Sequence, residues 1–337
     1  LARWTFPGKQ ILNGLVRLPP IHQQTAEEKK AYKPGKASSR DEQFMREMVI
    51  YQDDDMFALN KPAGIAVQGG TKQGGRHIDG MLDILSDGEY RPKLVHRLDK
   101  ETSGLLLIAR HPAAAARLGE LFRSRDMEKV YWAVTVGAPK PPAGQVRCWM
   151  AKGEGPEGRE RMVHAAQNDE GARHAITDYV TVSQAGQKAA WVALRPQTGR
   201  MHQLRFHMHE LGTSILGDDK YVTRREVPQG VASGLHLHAR ALLIPRPNKK
   251  PLLLQAPLSG HMKETFKDEY DELNLADKMV IVPPGMDPDV FNLAESHEAN
   301  QERFRAKVAS FIESSGSKGR NASQITLPPK DAGDMHA

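Results

Sequence analysis

The chain has 337 residues, room for one large domain or two ordinary ones, with 39% hydrophobic residues and a formal net charge of +6. A single cysteine, Cys148, excludes an internal disulfide framework and any multi-cysteine zinc site, and no apolar run approaches the roughly 20 residues that span a bilayer. Residues 263–337 hold nine basic and fourteen acidic residues, a balance of −5 that leaves +11 on residues 1–262, and so basic a body suits a polyanion.

In chain order, residues 1–20 end in Asn13-Gly14 followed by alternating apolar and polar residues, a turn into a strand. Residues 21–46 are polar, with breakers at Pro34 and Gly35 and no periodicity, and are read as a linker. Val49–Tyr51 and Met56–Leu59 form a hairpin across Asp53-Asp54-Asp55, whose three carboxylates suit a solvated tip better than a metal site. Lys61-Pro62-Ala63-Gly64 follows as a rigid turn, and residues 67–76 form a Gly-rich loop.

Two apolar segments, Leu94-Val95 and Leu105–Ile108, read as short buried strands. Their connection is not a minimal turn but a polar stretch containing His96, Arg97, Asp99, Lys100, Glu101, Thr102 and Ser103. Charged groups on a connection held by rigid strands are placed as catalytic groups often are. Pro112 opens a helix with Leu118, Leu121 and Phe122 on one face, and Lys129–Val136 alternates as a strand carrying Tyr131. Residues 141–173 are hairpins and loops, and Ala175–Ser183 and Trp191–Arg195 are strands. Met201, Leu204, Met208 and Leu211 recur at helical spacing, and Gly212 ends that helix. On the flank of the stripe, beside His202 and His209, Arg205 can turn inward toward a carboxylate. Leu235–Ile244 alternates as a strand or opens a helix, and a Pro-Arg-Pro turn leads to Leu252–Leu254. Residues 263–337 contain one amphipathic stretch, Glu302–Ile312, and are expected to be mostly disordered.

The ordered string His96-Arg97-Leu98-Asp99-x-x-Thr102-Ser103-Gly104 resembles the signature of the RluA-type pseudouridine synthases, which isomerise uridine within folded RNA. Lys61-Pro62-x-Gly64, Lys129-x-Tyr131-x-Ala133, Gly199-Arg200-x-His202-Gln203-Leu204-Arg205 and Leu216-Gly217-Asp218-x-Lys220-Tyr221 resemble further motifs, so the likeness spans Val49–Pro257. Where that family commonly has Thr, this chain has Met201. The resemblance implies an α+β fold with a mostly antiparallel central sheet flanked by helices, the catalytic domain occupying residues 47–262. It implies Asp99 as the catalytic aspartate, Arg205 as its partner and Tyr131 as the active-site tyrosine. Arg97, His96, Lys61, Arg200, His202 and Gln203 are the expected RNA contacts. It implies that residues 1–20 are the tail of an S4-type RNA-binding domain, most of which would be missing; a plain N-terminal strand is the alternative.

The expected partner is structured RNA, most readily large-subunit ribosomal RNA in an RluC-like branch, with transfer RNA second. Neither cofactor nor metal is expected, nor a membrane partner; the protein is expected to be monomeric and cytoplasmic, or organellar if a leader has been removed. Two rivals compete with this reading. The fourteen histidines could serve a metal hydrolase, but no His-Glu-x-x-His or comparable paired spacing occurs. A non-catalytic RNA-binding assembly factor would be favoured by loss of Asp99 or Arg205, and both are present.

Overall fold

The computed structural model describes residues 38–69, 76–155, 158, 160–228, 231–246 and 249–265, with two-residue strands at 11–12, 15–16 and 325–326. Strands β1 (Ile11–Leu12) and β2 (Leu15–Val16) pair antiparallel, Ile11 opposite Val16 and Leu12 opposite Leu15. The stretch read as a linker has to be corrected at its end, because Ser39–Glu47 is a helix, α1. Its signal is a cap: Ser38 accepts from the Asp41 backbone N–H, and Asp41 and Glu42 place negative charge in the first turn. Met45, wholly buried, anchors it.

Next come β3 (Val49–Gln52) and β4 (Met56–Lys61), turned by the Asp53 carboxylate, which accepts from the N–H groups of Asp55 and Met56. Helix α2 (Ile78–Met81) runs into a 3₁₀ turn at Leu82–Leu85, and β5 (Lys93–Leu94) and β6 (Ser103–Ala109) bracket the polar connection. Helix α3 (Pro112–Ser124) is capped by the His111 ring and closed by Arg125 in the left-handed region. Then follow β7 (Glu128–Val136), β8 (Ala143–Glu154), β9 (Glu160–His164), β10 (Arg173–Ala185) and β11 (Ala189–Pro196). Helix α4 (Gln203–Glu210), β12 (Leu237–Arg246), β13 (Lys249–Gln255), α5 (Gly260–Thr265) and β14 (Ile325–Thr326) complete the described elements. The Glu302–Ile312 stretch and most of the acidic C-terminal segment lie outside the described residues. No helix among the described residues is long and apolar enough to cross a membrane.

The main sheet runs β14-β8-β10-β11-β7-β12-β6-β4-β3, with β13, β5 and β9 pairing onto β12, β6 and β8. It is mostly antiparallel, as expected, but mixed: β12 runs parallel to β6, and β14 parallel to β8. Strand β6 is buried along its whole length, and Leu105, Leu106, Leu107 and Ile108 are at most 1% exposed. Burying each such side chain contributes about 1.5–3 kcal/mol, so this strand is a firm support for the loop that precedes it. Helix α4 sets Leu204 and Met208 against Tyr179, Val192 and Leu194 of the opposite half of the sheet.

The junction of the two halves depends on one glycine. Gly104 has φ +104°, and a Cβ there would lie 2.3 Å from the Ala239 carbonyl oxygen. Only a residue with no side chain lets β6 and β12 meet at this register, His238 opposite Ser103 and Ala239 opposite Gly104. Next to it the Ser103 hydroxyl and His238 Nδ1 are 2.9 Å apart.

The buried histidines hold backbone and side chains together. His207 lies between Cys148 Sγ and Thr177 Oγ1, His236 between the Gly234 carbonyl and Thr265, and His238 between Ser103 and the Ala256 carbonyl. Burial pushes His207 and His238 down to about 3 and His236 down to about 4, so all three are neutral in the folded protein at pH 7.

Replacing Gly104 with Ala should lower the free energy of unfolding in urea by about 2–5 kcal/mol, combining backbone strain and overlap. Gly171→Ala, at φ +72° with open space around it, should lower it by about 1–3 kcal/mol through strain alone. Acid should destabilise the fold early. Below pH ~6.5 the unfolded chain takes up protons that His207, His236 and His238 refuse when folded, so stability is lost as pH falls toward 4. The loss is about 1.4 kcal/mol per pH unit for each fully titrating histidine. Urea unfolding at half-unit pH steps checks it, and a flat profile between pH 6 and 4.5 contradicts it.

Candidate active site

A cleft of about 760 Å³ opens between the connection after β5, the end of α3, β7, and the turn leading into α4. Asp99 is on its wall, half-buried. Leu98, 6% exposed, fixes the neighbouring backbone in the core, while Arg97 on its other side is exposed. The Asp99 carbonyl accepts from the Thr102 N–H at 3.1 Å, closing a tight turn that leads directly into buried Thr102, Ser103 and β6. The carboxylate is therefore presented by a turn with little freedom.

Lys61 explains how that turn is held. It is 0% exposed, and its ammonium donates to three carbonyls, Pro62 at 2.9 Å, Ile65 at 3.0 Å and Lys100 at 3.0 Å. The Gly64 N–H donates to the same Lys100 oxygen at 2.9 Å. Burial lowers the Lys61 pKa to about 8, against a partial opposing pull from Glu101 and Asp99. The expected RNA contact at Lys61 is thus a correction: all its donors are spent inside the protein.

His96, expected to contact RNA, lines the cleft but is held from behind by the protein. Its Nε2 accepts from the Leu107 N–H at 2.8 Å, and its ring stacks on Phe122 with centroids 4.3 Å apart. Burial and Lys129 push it down to about 3, so it carries no charge for a phosphate at neutral pH. Gln203 is 3% exposed and fully engaged, donating to Ile176 O and Thr177 Oγ1 and accepting from Thr198 Oγ1 and the Arg200 N–H. It pins the Gln197–Arg200 turn to β10 and is not free to read RNA.

Arg205 also departs from expectation. It enters the cleft lining from α4, but no ion pair joins it to Asp99 among the described residues. Instead Nε donates to Asp218 Oδ2 at 2.7 Å, and Nη2 donates to Asp218 Oδ1 at 2.6 Å and Asp219 Oδ1 at 2.9 Å. Asp218 Oδ1 further accepts from the N–H groups of Lys220 and Tyr221, and the Tyr221 ring centroid lies 5.6 Å from the Arg205 guanidinium. The sequence reading gave Asp218 no role, because the 13 residues separating it from Arg205 carry no periodic signal.

Asp99 nevertheless sits inside a charged ring. Its field reaches Lys61, Tyr131, His202 and Arg205. Burial first, and the Asp99 charge second, raise the Tyr131 phenol well above its ordinary value, so it stays protonated. Burial lowers His202, whose left-handed backbone at φ 50° starts α4 and whose Nδ1 lies 3.3 Å from the Tyr221 hydroxyl. Arg97, Arg123, Arg125, Lys129 and Arg200 add positive charge around the cleft. Arg125, which closes α3, and Lys129, near the start of β7, are brought to the cleft by the fold. Among the described residues no cluster of three or more metal-ligating side chains occurs.

Lys61→Met should destabilise the fold by about 2–4 kcal/mol, since three carbonyls lose a buried donor, while affinity for RNA stays within twofold of wild type. Urea unfolding and fluorescence anisotropy check the two halves. A tenfold loss of affinity in a folded variant would return Lys61 to the RNA surface.

The family described as RNA pseudouridylate synthase matches residues 55–210, which include Lys61, Asp99, Tyr131 and Arg205. The ribosomal large subunit pseudouridine synthase C of Rickettsia felis is 38% identical over 219 residues, 65% of this chain and 70% of that one. Its counterpart in Rickettsia bellii is 39% identical over 198 residues, 59% of this chain, and the match covers 64% of that protein's length. Human RNA pseudouridylate synthase domain containing 4 superposes with a TM-score of 0.56 at 31% identity, covering 67% of this chain and 94% of that one. With motif, cleft and likeness in agreement, the chain belongs to the RNA pseudouridine synthase family, in its RluA-type branch.

Proposed function

We propose that the protein converts uridine to pseudouridine in structured RNA, with Asp99 as nucleophile and large-subunit ribosomal RNA as substrate. The observation that carries this reading is a carboxylate held on a rigid turn in a nucleotide-sized cleft, beside a neutral tyrosine and within a ring of cations. The printed names of the two Rickettsia relatives support the choice of RNA.

The reaction is an isomerisation, so nothing external enters the balance. The N1–C1′ bond breaks, a C5–C1′ bond forms, C5 gives up its proton and N1 gains one. A carboxylate that bonds transiently to the nucleotide divides this into two easier steps. The target uridine must leave its stack, at a cost of a few kcal/mol. Exposed Arg97, next but one to Asp99, can fill the space left behind with its planar guanidinium. Because the Tyr131 phenol stays protonated, it serves as a stacking surface and hydrogen-bond donor rather than as a base. Arg205 acts on Asp99 through its field. Braced by Asp218 and Asp219, it offers a fixed charge to the cleft without bonding to the nucleophile.

Mapping pseudouridine in total RNA from cells with and without the gene tests both parts. At least one uridine of large-subunit ribosomal RNA should lose its modification and regain it with the wild-type gene. Asp99→Asn should fail to restore it although the folded variant binds RNA within about threefold of wild type. Restoration by Asp99→Asn would remove the nucleophile, and a lost site in transfer RNA alone would remove the substrate assignment.

A further inference from the structure

The wall of the cleft contains a ring nitrogen that the protein leaves unused. His202 lines the cleft with its backbone in the left-handed region, at φ 50°. Arg125 is the other non-glycine residue in that region among the described residues, and it lines the same cleft. A non-glycine backbone is held there only by its surroundings, and such positions gather at functional sites. Of the two His202 ring nitrogens, Nδ1 lies 3.3 Å from the Tyr221 hydroxyl. Nε2 has no partner among the described residues and is not sealed from solvent, so it is the nitrogen left to the cleft.

Tyr221 decides which nitrogen carries the hydrogen. Its buried ring has the guanidiniums of Arg205 and Arg161 at 5.6 and 5.7 Å from its centroid, and its N–H donates to Asp218 Oδ1 at 2.9 Å. The hydroxyl oxygen accepts from the Met162 N–H at 2.9 Å. Its own hydrogen needs an acceptor, and His202 Nδ1 is the one in reach among the described residues. Were Nδ1 to carry the hydrogen instead, the buried phenol O–H would have no acceptor and its hydrogen bond would be lost. An ordinary imidazole is already mostly uncharged at pH 7, and burial lowers His202 further. The single ring hydrogen therefore sits on Nε2. An uncharged N–H is a weak partner for phosphate, and Arg97, Arg123, Arg125, Lys129 and Arg200 already line the cleft for that purpose. It suits a carbonyl oxygen, of which uracil presents two.

We propose that Tyr221 is a positioning residue that fixes His202 as an Nε2–H donor to a carbonyl oxygen of the target uracil. This assignment rests on the reading of the protein as an enzyme that modifies uridine, and it names the group that orients the base beside Asp99. Tyr221 touches no substrate and acts through the imidazole.

NMR of the full chain with nitrogen-15 histidine reads the ring hydrogen directly, the His202 signals being identified by their loss in His202→Gln. At pH 7 the wild type should show the Nε2–H form, and Tyr221→Phe a mixture of the two uncharged forms. An Nδ1–H form or an imidazolium in the wild type, or an unchanged His202 pattern in Tyr221→Phe, overturns the assignment. Kinetics use ribosomal RNA purified from cells lacking the gene. His202→Leu should lower kcat/KM by about 100-fold. His202→Gln, whose amide donates without charge, should lose less than about tenfold, and His202→Lys should do no better than His202→Leu. Tyr221→Phe should cost about tenfold beside His202 and less than about twofold in the His202→Gln background, because its effect passes through the ring. The slope of log affinity against log salt should be the same in His202→Leu as in the wild type, since no phosphate contact is lost. Rescue by Lys rather than Gln, a shallower salt slope, or an equal cost of Tyr221→Phe in both backgrounds overturns the proposal. A wild type that shows the Nε2–H form but makes no pseudouridine refutes the enzyme reading and the uracil contact with it. An active wild type with the hydrogen on Nδ1 refutes the Tyr221–His202 assignment alone.

Discussion

A buried ammonium joins the two turns on which the site is built. Lys61 reaches from the end of β4 to three carbonyls, two in its own turn and one on Lys100, the residue after Asp99. An ammonium taken fully out of water is tolerated only when such partners surround it, and burial lowers its pKa to about 8. The Asp99 turn is thereby fastened to β4 at one end, while Thr102, Ser103 and Gly104 deliver it into β6 at the other. Gly104 is where β6 touches β12 and the two halves of the sheet meet. The position of the Asp99 carboxylate thus follows from the most buried part of the molecule.

The second wall of the cleft is built on the opposite principle, charge against charge. Arg205 is committed to Asp218 and Asp219, and Gln203 to β10, so α4 presents a preset surface rather than side chains free to move. A guanidinium held in place by two carboxylates does not collapse onto Asp99, which leaves the Asp99 carboxylate open to the cleft. Prepaid organisation of this kind is what electrostatic catalysis requires. It also accounts for a motif residue that contributes without bonding to the group it was expected to hold.

Much of this was legible in the chain. The alternation of Lys129–Val136, the helical stripe from Met201 to Leu211 and the apolar runs around the Asp99 connection each gave the right element. Helix α1 was missed because its polar composition hid a Ser38–Asp41 cap and one buried methionine. Motif order pointed to Asp99 but could not show that Lys61 and Gln203 are engaged inside the protein, since a lysine that grips carbonyls and one that grips phosphate look alike in sequence. Burial decides between them, and burial is a property of the fold. The Arg205–Asp218 pair depends on a helix and the loop that follows it being folded back together, which no local pattern encodes.

The central claim is that the Asp99 carboxylate opens the chemistry at the uridine. It is tested most directly by the release of tritium from RNA labelled at uracil C5, since forming the new carbon–carbon bond must expel that hydrogen into water. The wild type should release tritium in step with pseudouridine, and Asp99→Ala should release none while still binding the labelled RNA. Tritium release by Asp99→Ala at the wild-type rate would contradict the account.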